Sequence, residues 1–386
     1  MVALANKLLI GEFKMAHMIE KKNGAFQMVS TTKEWHYFET DHPILPTAFD
    51  DATYAEWKKL SGMGEEYETV PAIQNVGTAE EPIYAEIPGQ FFVRRKSDFS
   101  VYNFVSEQFN VFQPSELVDF GREFVEASAD ENGNSRFSLE TAMTLKNGAL
   151  LCCSYGFKED INVIGEKHKL YLLLSTAMDG TRATTFQGVM GRVVCHNTFQ
   201  AYQHGAATYK LGHRSKWTEA EKTRATRTLE DILMGAAHYK KLAETLATIR
   251  MSKEEAVKFL RSTIFQAKLI DSETESGEKV KVLSQPGTQE KRRMEEIEAA
   301  YETTIKEGTE AGSAWSVFNT VTRYADHDMT VRKRDGKSLE AAKDESRLFG
   351  AVQTFKSKSI TQLLSQLDVK PATIQVERSD LDKLAA

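Results

Sequence analysis

The sequence predicts an α+β fold, in which an antiparallel β meander is covered by helices and followed by a mostly helical C-terminal half. Residues 136–157 alternate apolar and polar side chains along two strands joined by a tight turn. Further along, Asp179-Gly180 is a two-residue hairpin signal, because glycine tolerates the positive φ of such turns. From residue 217 onward, apolar residues recur at helical spacing.

The segment before the meander is predicted to contain two helices separated by strands. An amphipathic helix is predicted at 50–60, and residues 67–112 are rich in strand-forming side chains. Pro114 begins the second helix, because its missing N–H group costs nothing in a first turn. One face of that helix carries Leu117, Phe120, Phe124 and Val125.

Capping signals mark the helices that follow the meander. Thr218 with Glu221, and Ser252 with Glu255, have the spacing of capping boxes. Further helices are predicted at 289–307, 311–329 and 339–367.

At 386 residues, the chain exceeds the roughly 250–300 residues that one hydrophobic core usually serves. Changes in composition predict an α+β core, a helical extension, a polar linker, a C-terminal helical region and a loose tail. These segments comprise residues 15–205, 206–270, 271–288, 289–367 and 368–386.

Composition narrows the classes of function. The net charge of −6 disfavours a simple basic nucleic-acid binder, so such a role requires a local patch. The three cysteines have no zinc spacing and fit a reducing cytoplasm. No apolar segment is long enough for a membrane span, and no cofactor motif is recognisable.

The motifs that suggest catalysis are weak. Cys195 and His196 are neighbours at a strand end, where side chains diverge, so they do not form a nucleophile–base pair. Asn197-Thr198 fits a helix cap. Asp326-His327 lacks the spacing of a metal site. We assign no catalytic residue and no metal ligand.

A cluster of basic and aromatic side chains after the hairpin is the candidate site. Cations along a groove, with aromatic rings for base stacking, are typical of single-stranded nucleic acid binding. The alternative is a solvated helix face beside core aromatics. The predicted nucleic-acid-binding residues are Arg182, Arg192, Tyr202, Tyr209, Lys210, His213, Arg214, Lys216, Trp217, Lys222, Arg224 and Arg227.

Several blocks of sequence, spread over about residues 15–365, resemble the phage/plasmid-like protein family built on domain of unknown function 932. The blocks are Met15-Ala16-His17 with Asn23-Gly24, Trp35-His36, 172–198, 312–315, 319–322, Tyr324 with Asp326-His327, and Arg347 with Phe349-Gly350. The basic segment with Arg-His that usually follows the central block is reversed here, as His213-Arg214. Tyr37 departs from the family pattern, which more often has glycine after the histidine. The resemblance implies a mobile-element or prophage setting and a cytoplasmic location, and it supplies no catalytic residues. The element order is also loosely similar to that of ring-forming single-strand annealing proteins of phages.

Three hypotheses follow. The first is a non-enzymatic, homo-oligomeric protein that binds and anneals single-stranded DNA in recombination, in the host cytoplasm if phage-encoded, without membrane association. The second is a protein-interaction or anti-host-defence factor that binds no nucleic acid and acts through the acidic helical half. The third, a metal-dependent nuclease, has least support because no carboxylate cluster with metal spacing is visible.

Overall fold

The fold, obtained as a computed structural model, combines antiparallel sheets with helices. It confirms the predicted α+β class. The described residues are 20–31, 42–127, 129, 135–192, 198–200, 208–273, 279–306, 309, 311–330, 351–377 and 380.

Fifteen strands are defined within these residues. In chain order they are β1 (Lys21–Lys22), β2 (Ala25–Phe26), β3 (Met28–Ser30), β4 (Tyr67–Asn75), β5 (Tyr84–Arg95), β6 (Val101–Ser106), β7 (Phe137–Leu145), β8 (Leu150–Phe157), β9 (Ile161–Val163), β10 (Glu166–Ala177), β11 (Thr184–Arg192), β12 (Thr198–Gln200), β13 (Thr208–Leu211), β14 (Leu269–Glu273) and β15 (Lys279–Leu283).

The central sheet has eight strands, in the order β12-β11-β10-β8-β7-β3, with β13 also paired to β11 and β9 to β10. All of these pairings are antiparallel. The meander predicted from the sequence is therefore confirmed as the middle of this sheet. Strands β4, β5 and β6 form a separate three-stranded antiparallel sheet.

The helices in the described part are α1 (Asp51–Ser61), α2 (Pro114–Ala127), α3 (Glu219–Thr248), α4 (Lys253–Ile264), α5 (Thr288–Lys306), α6 (Ala314–Arg323) and α7 (Ala351–Gln366). Local signals identified several starts correctly. α2 begins at Pro114, and Ser252 caps α4 in a reciprocal capping box with Glu255. None of the helices among these described residues has the length and apolar character needed to cross a bilayer.

Helices α2 and α3 pack on one face of the central sheet. The predicted apolar face of α2 is confirmed, since all four of its side chains are buried. Glycines permit the close approach of both helices. A side chain at Gly121 would clash with the Tyr155 ring of β8, and a Cβ at Gly188 would lie 2.8 Å from Ile232 Cγ2 of α3.

One contiguous set of buried apolar side chains joins the sheet to the C-terminal helices. It includes Leu172 of β10, Leu242 of α3, Trp315 of α6 and Leu363 of α7. The central sheet and the later helices therefore share a core.

The β10–β11 connection is longer than the two-residue turn that we predicted. It spans residues 178–183, with Gly180 at φ 69°. The Asp179 carboxylate accepts hydrogen bonds from the backbone N–H (3.0 Å) and hydroxyl (2.6 Å) of Thr181, which stabilises a wider turn.

Two segments differ from the sequence interpretation. The predicted linker at 271–288 contains most of the β14–β15 hairpin, in which Asp271 lies opposite Lys281 in the backbone register. Pro286 and Gly287, two of the residues that suggested a loop, lie after β15.

The predicted loose tail packs on α3 wherever it is described. Val369, Ile374 and Val376 contact the core, and His238 Nε2 donates to the carbonyl oxygen of Pro371 at 2.8 Å. Burial of these apolar side chains therefore stabilises the packing of the tail on α3.

We expect Gly121→Ala to lower the free energy of unfolding by about 1–3 kcal/mol, because overpacking against the Tyr155 ring displaces α2 from the sheet. The matched control is Gly64→Ala, whose added Cβ would meet its nearest neighbour, Lys58 O, at 3.5 Å. Urea unfolding of both variants measures the difference. Equal stability of the two would contradict the packing described here.

Candidate nucleic-acid interface at the turn end of the sheet

The candidate site lies at one end of the central sheet, which we call the turn end. Here the β7–β8 connection (Lys146–Gly148), the β10–β11 connection (178–183) and the loop after β13 (212–218) come together. Hydrogen bonds join this end to the β5–β6 hairpin, since Asn103 Nδ2 donates to the carbonyl oxygen of Asp179 at 2.5 Å.

The two predicted stacking residues that the structure describes are core residues. Tyr209 is 5% exposed, packs on Phe186 and donates its hydroxyl to Glu221. Trp217 is half-buried, with ring centroids 5.0 Å from Phe120 and 5.2 Å from Phe112. The prediction that these rings are open to bases is wrong, because α2 and α3 cover this face of the sheet.

His213 fastens the loop 212–218 to its neighbours. Its Nε2 donates to the carbonyl oxygen of Arg182 at 2.6 Å, and its ring stacks on Phe109 at 4.4 Å. Its own carbonyl oxygen accepts from the backbone N–H of Asn110 at 2.6 Å. His213 therefore positions this loop beside the β10–β11 connection.

Two of the predicted phosphate-binding cations are held in ion pairs. Lys222 Nζ lies 3.2 Å from Glu219 Oε1 and 3.7 Å from Glu123 Oε1 of α2. Arg224 Nη1 lies 2.9 Å from Glu221 Oε1. Hydrogen bonding to Glu219 raises the pKa of Lys222 above its usual value. These carboxylates neutralise both cations.

Four predicted cations are exposed and have no acidic partner among the described residues: Lys210, Arg214, Lys216 and Arg227. Lys210, Arg214 and Lys216 are close to one another in the sequence and belong to the turn end. Lys210 of β13 is paired with Thr185 of β11. We call these three residues the basic strip. Residues 208–218 contain no aspartate or glutamate.

The remaining predicted residues fall into three groups. Arg182 is half-exposed on the β10–β11 connection, next to the basic strip. Arg192 ends β11, about 26 Å along the strand from Thr184, so it is not part of the same cluster. Tyr202 and the Cys195-His196-Asn197 motif lie outside the described residues, whereas Thr198 begins strand β12 and not a helix.

A cavity of about 710 Å³ lies beside Asp179 at the turn end. We call it the turn-end cavity. Its ionisable lining is balanced, with three carboxylates and three cations. The carboxylates are Glu20, Asp98 and Asp179, and the cations are Lys22, Arg95 and Lys146. Asn23, Asn147 and Val101 also line the cavity.

Arg95 is the buried centre of this lining. Its guanidinium donates to Glu20 Oε1 at 2.5 Å. It also makes a bidentate hydrogen bond to Asp98, with Nε donating to Oδ1 at 3.0 Å and Nη2 donating to Oδ2 at 2.6 Å. The Arg95 and Glu20 side chains are both 4% exposed. Hydrogen bonding to Arg95 holds the pKa of Asp98 well below its usual range, whereas burial raises the pKa of Glu20 despite the opposing attraction of Arg95.

The β7–β8 connection beside Arg95 has an uncommon backbone. Lys146, Asn147 and Gly148 have φ values of 53°, 54° and 90°. Gly148 is required, since an added Cβ would clash with the Tyr102 hydroxyl and lie 2.8 Å from Arg95 Nη1. The Gly148 carbonyl oxygen accepts a hydrogen bond from the Tyr67 hydroxyl at 3.0 Å. This packing holds two non-glycine residues in the left-handed region, where each costs about 1–2 kcal/mol.

Sequence reasoning passed over Arg95, because Arg94, Arg95 and Lys96 together resemble a polar turn. The signal that identifies it is alternation along β5, where Val93 and Arg95 are buried while Arg94 is partly exposed.

No metal site is visible in the described part of the chain, where no three His, Cys, Asp or Glu residues come together suitably. Asp326, considered above with His327, is instead buried at 2.8 Å from Lys356.

The chain matches a known protein family. Residues 101–347 match the family described as domain of unknown function (DUF932). The match covers more than half of the chain, which therefore belongs to this family. No curated protein and no solved structure matches the chain.

We expect Arg95→Met to lower the free energy of unfolding by about 3–5 kcal/mol at pH 7, because it leaves the Glu20 carboxylate buried without a partner. The matched control is the neighbouring Arg94→Met, whose pair with Glu68 is about one-third exposed and contributes under about 1 kcal/mol. Urea unfolding gives both values.

The deficit of Arg95→Met also depends on pH. It should shrink on mild acidification, since burial raises the pKa of Glu20 and protonation removes the unpaired charge. In the wild type, the contribution of Asp98 to stability changes with pH in the opposite direction. Its pKa is lowered, so its stabilising contribution is complete above about pH 4 and is lost as the pH falls further. A deficit independent of pH would contradict the role given to Glu20.

Proposed function

We propose that this protein binds single-stranded DNA through its phosphates and anneals complementary strands, as a non-enzymatic homo-oligomer in the cytoplasm of a host of mobile elements. The observation that carries this proposal is the basic strip, Lys210, Arg214 and Lys216, in a segment without acidic residues. In this proposal, a mostly helical C-terminal half supports the sheet and does not contact the DNA.

The electrostatics of the molecule supports a local mode of binding. The chain carries a net charge of −6, so a polyanion has no general attraction to it. At physiological salt, charges beyond about 8 Å are largely screened, so nearby cations dominate the attraction. Sequence-tolerant, strongly salt-dependent binding is what phosphate contacts produce.

Salt dependence provides the test of the basic strip. The triple variant Lys210→Ala, Arg214→Ala and Lys216→Ala removes up to three phosphate contacts. We therefore expect the slope of log affinity against log salt to become about 2 units shallower. Fluorescence anisotropy with a labelled single-stranded oligonucleotide measures it, and a strand-annealing assay follows the consequence for activity.

The matched control for the triple variant is the double variant Lys222→Ala and Arg224→Ala, which removes two nearby cations that are already ion-paired. We expect its salt slope to stay close to that of the wild type. The proposal fails if wild-type protein binds neither single- nor double-stranded DNA at low salt, or if the double variant loses as much as the triple variant.

A second candidate function is protein binding through the three-stranded sheet. Its outer face carries the cross-strand row Val70, Phe92 and Phe104, and the Phe92 and Phe104 ring centroids are 4.4 Å apart. Phe104 is 55% exposed, and exposed apolar patches of this kind mark interaction sites. Residues 65–107 contain eight acidic and three basic residues, which disfavours DNA here. This surface lies on strands and not on the acidic helical half.

For this second function we expect Phe104→Glu to abolish capture of a protein partner from nuclease-treated host lysate. Ser106→Glu is the matched control, because it adds the same charge on the same face of β6 without removing a ring. If both variants capture the partner equally, this surface is not the one used.

A further inference from the structure

The turn-end cavity has a lining suited to a neutral polar ligand. Its three carboxylates and three cations cancel, so it offers no net attraction to a phosphate group. The guanidinium of Arg95 already donates to Glu20 and Asp98. A ligand bound there must therefore be recognised by shape and hydrogen bonds.

Two asparagine amides supply such hydrogen bonds. Asn23 and Asn147 both line the cavity and are exposed, and neither amide has a hydrogen-bond partner among the residues that the structure describes. Each amide offers two donors and one acceptor, which is the combination that pairs with the edges of nucleobases. Val101, 55% exposed, adds an apolar wall.

The backbone holds both asparagines in the left-handed region. Asn23 has φ 52° and Asn147 has φ 54°, so both are left-handed positions that glycine would occupy with less strain. Glycine follows each of them, and neither asparagine side chain caps a described backbone group. Asparagine adopts this conformation more readily than other non-glycine residues, so the turns place both side chains at the cavity while leaving their amides without a structural hydrogen bond among the described residues.

The cavity and the basic strip lie next to the same connection, residues 178–183. Asp179 lines the cavity, and Arg182, three residues later in the same connection, accepts the hydrogen bond that fixes His213. Arg214 follows His213 directly. DNA with its phosphates on the basic strip would therefore run beside the connection that borders the cavity.

We propose that the turn-end cavity receives one unstacked nucleobase of the bound strand, with the amides of Asn23 and Asn147 contacting its hydrogen-bonding edge. This inference rests on the proposed binding of single-stranded DNA. Since an amide carries both donors and an acceptor, it accommodates any of the four bases, and the site adds affinity without sequence preference.

The test compares a single-stranded oligonucleotide with a fully abasic strand of the same length. We expect wild-type protein to bind the normal strand about tenfold more tightly, and Asn147→Gly to remove most of that ratio. Glycine at this left-handed position should leave stability unchanged or higher in urea unfolding, so a weaker ratio cannot come from unfolding.

Asp368→Gly is the matched control. Asp368 is another exposed non-glycine residue, at φ 52°, on the C-terminal tail, and its replacement should leave the ratio unchanged. Equal wild-type affinity for both strands, or a ratio unaffected by Asn147→Gly, overturns the base site while the phosphate contacts stand. Failure of wild-type protein to bind either strand removes the proposed function, and the base site with it.

Discussion

The turn end depends on one buried guanidinium. Arg95 connects Glu20, just before β1, with the β5–β6 hairpin, and its Nη1 leaves no room for a side chain at Gly148. Taking a charge out of water costs several kcal/mol unless its partners are in place. The N-terminal strand, the three-stranded sheet and the β7–β8 connection must therefore assemble together around this group.

The conformation of the loops next to Arg95 therefore depends on the ion cluster of Arg95, Glu20 and Asp98. Asn147 is in the left-handed region, in a connection that packs against Arg95 and Tyr67, and it lines the turn-end cavity. The loop 212–218 is fixed separately, by the ring and backbone contacts of His213. The cavity and the basic strip are thus positioned by two independent sets of contacts on either side of one connection.

Local signals in the sequence predicted the elements well, and long-range contacts explain the failures. Pro114 and Ser252 mark helix starts because capping involves residues at most four apart. The side of the sheet that Tyr209 and Trp217 occupy depends on α2, about 90 residues earlier, and could not be predicted. By contrast, the pairing of Lys222 with Glu219 follows from i, i+3 spacing and was available from the sequence.

Charge differs between the two sides of the proposed interface. The three-stranded sheet, with eight acidic and three basic residues over 65–107, borders the turn-end cavity through Asp98 and Val101. A phosphate backbone approaching from that side meets like charges, whereas the segment 208–218 on the other side has none. Repulsion on one flank and attraction on the other would guide a flexible single strand along the basic strip. A stiff duplex cannot bend away from the acidic sheet as easily, so the proposed mode of binding would favour single strands over duplexes.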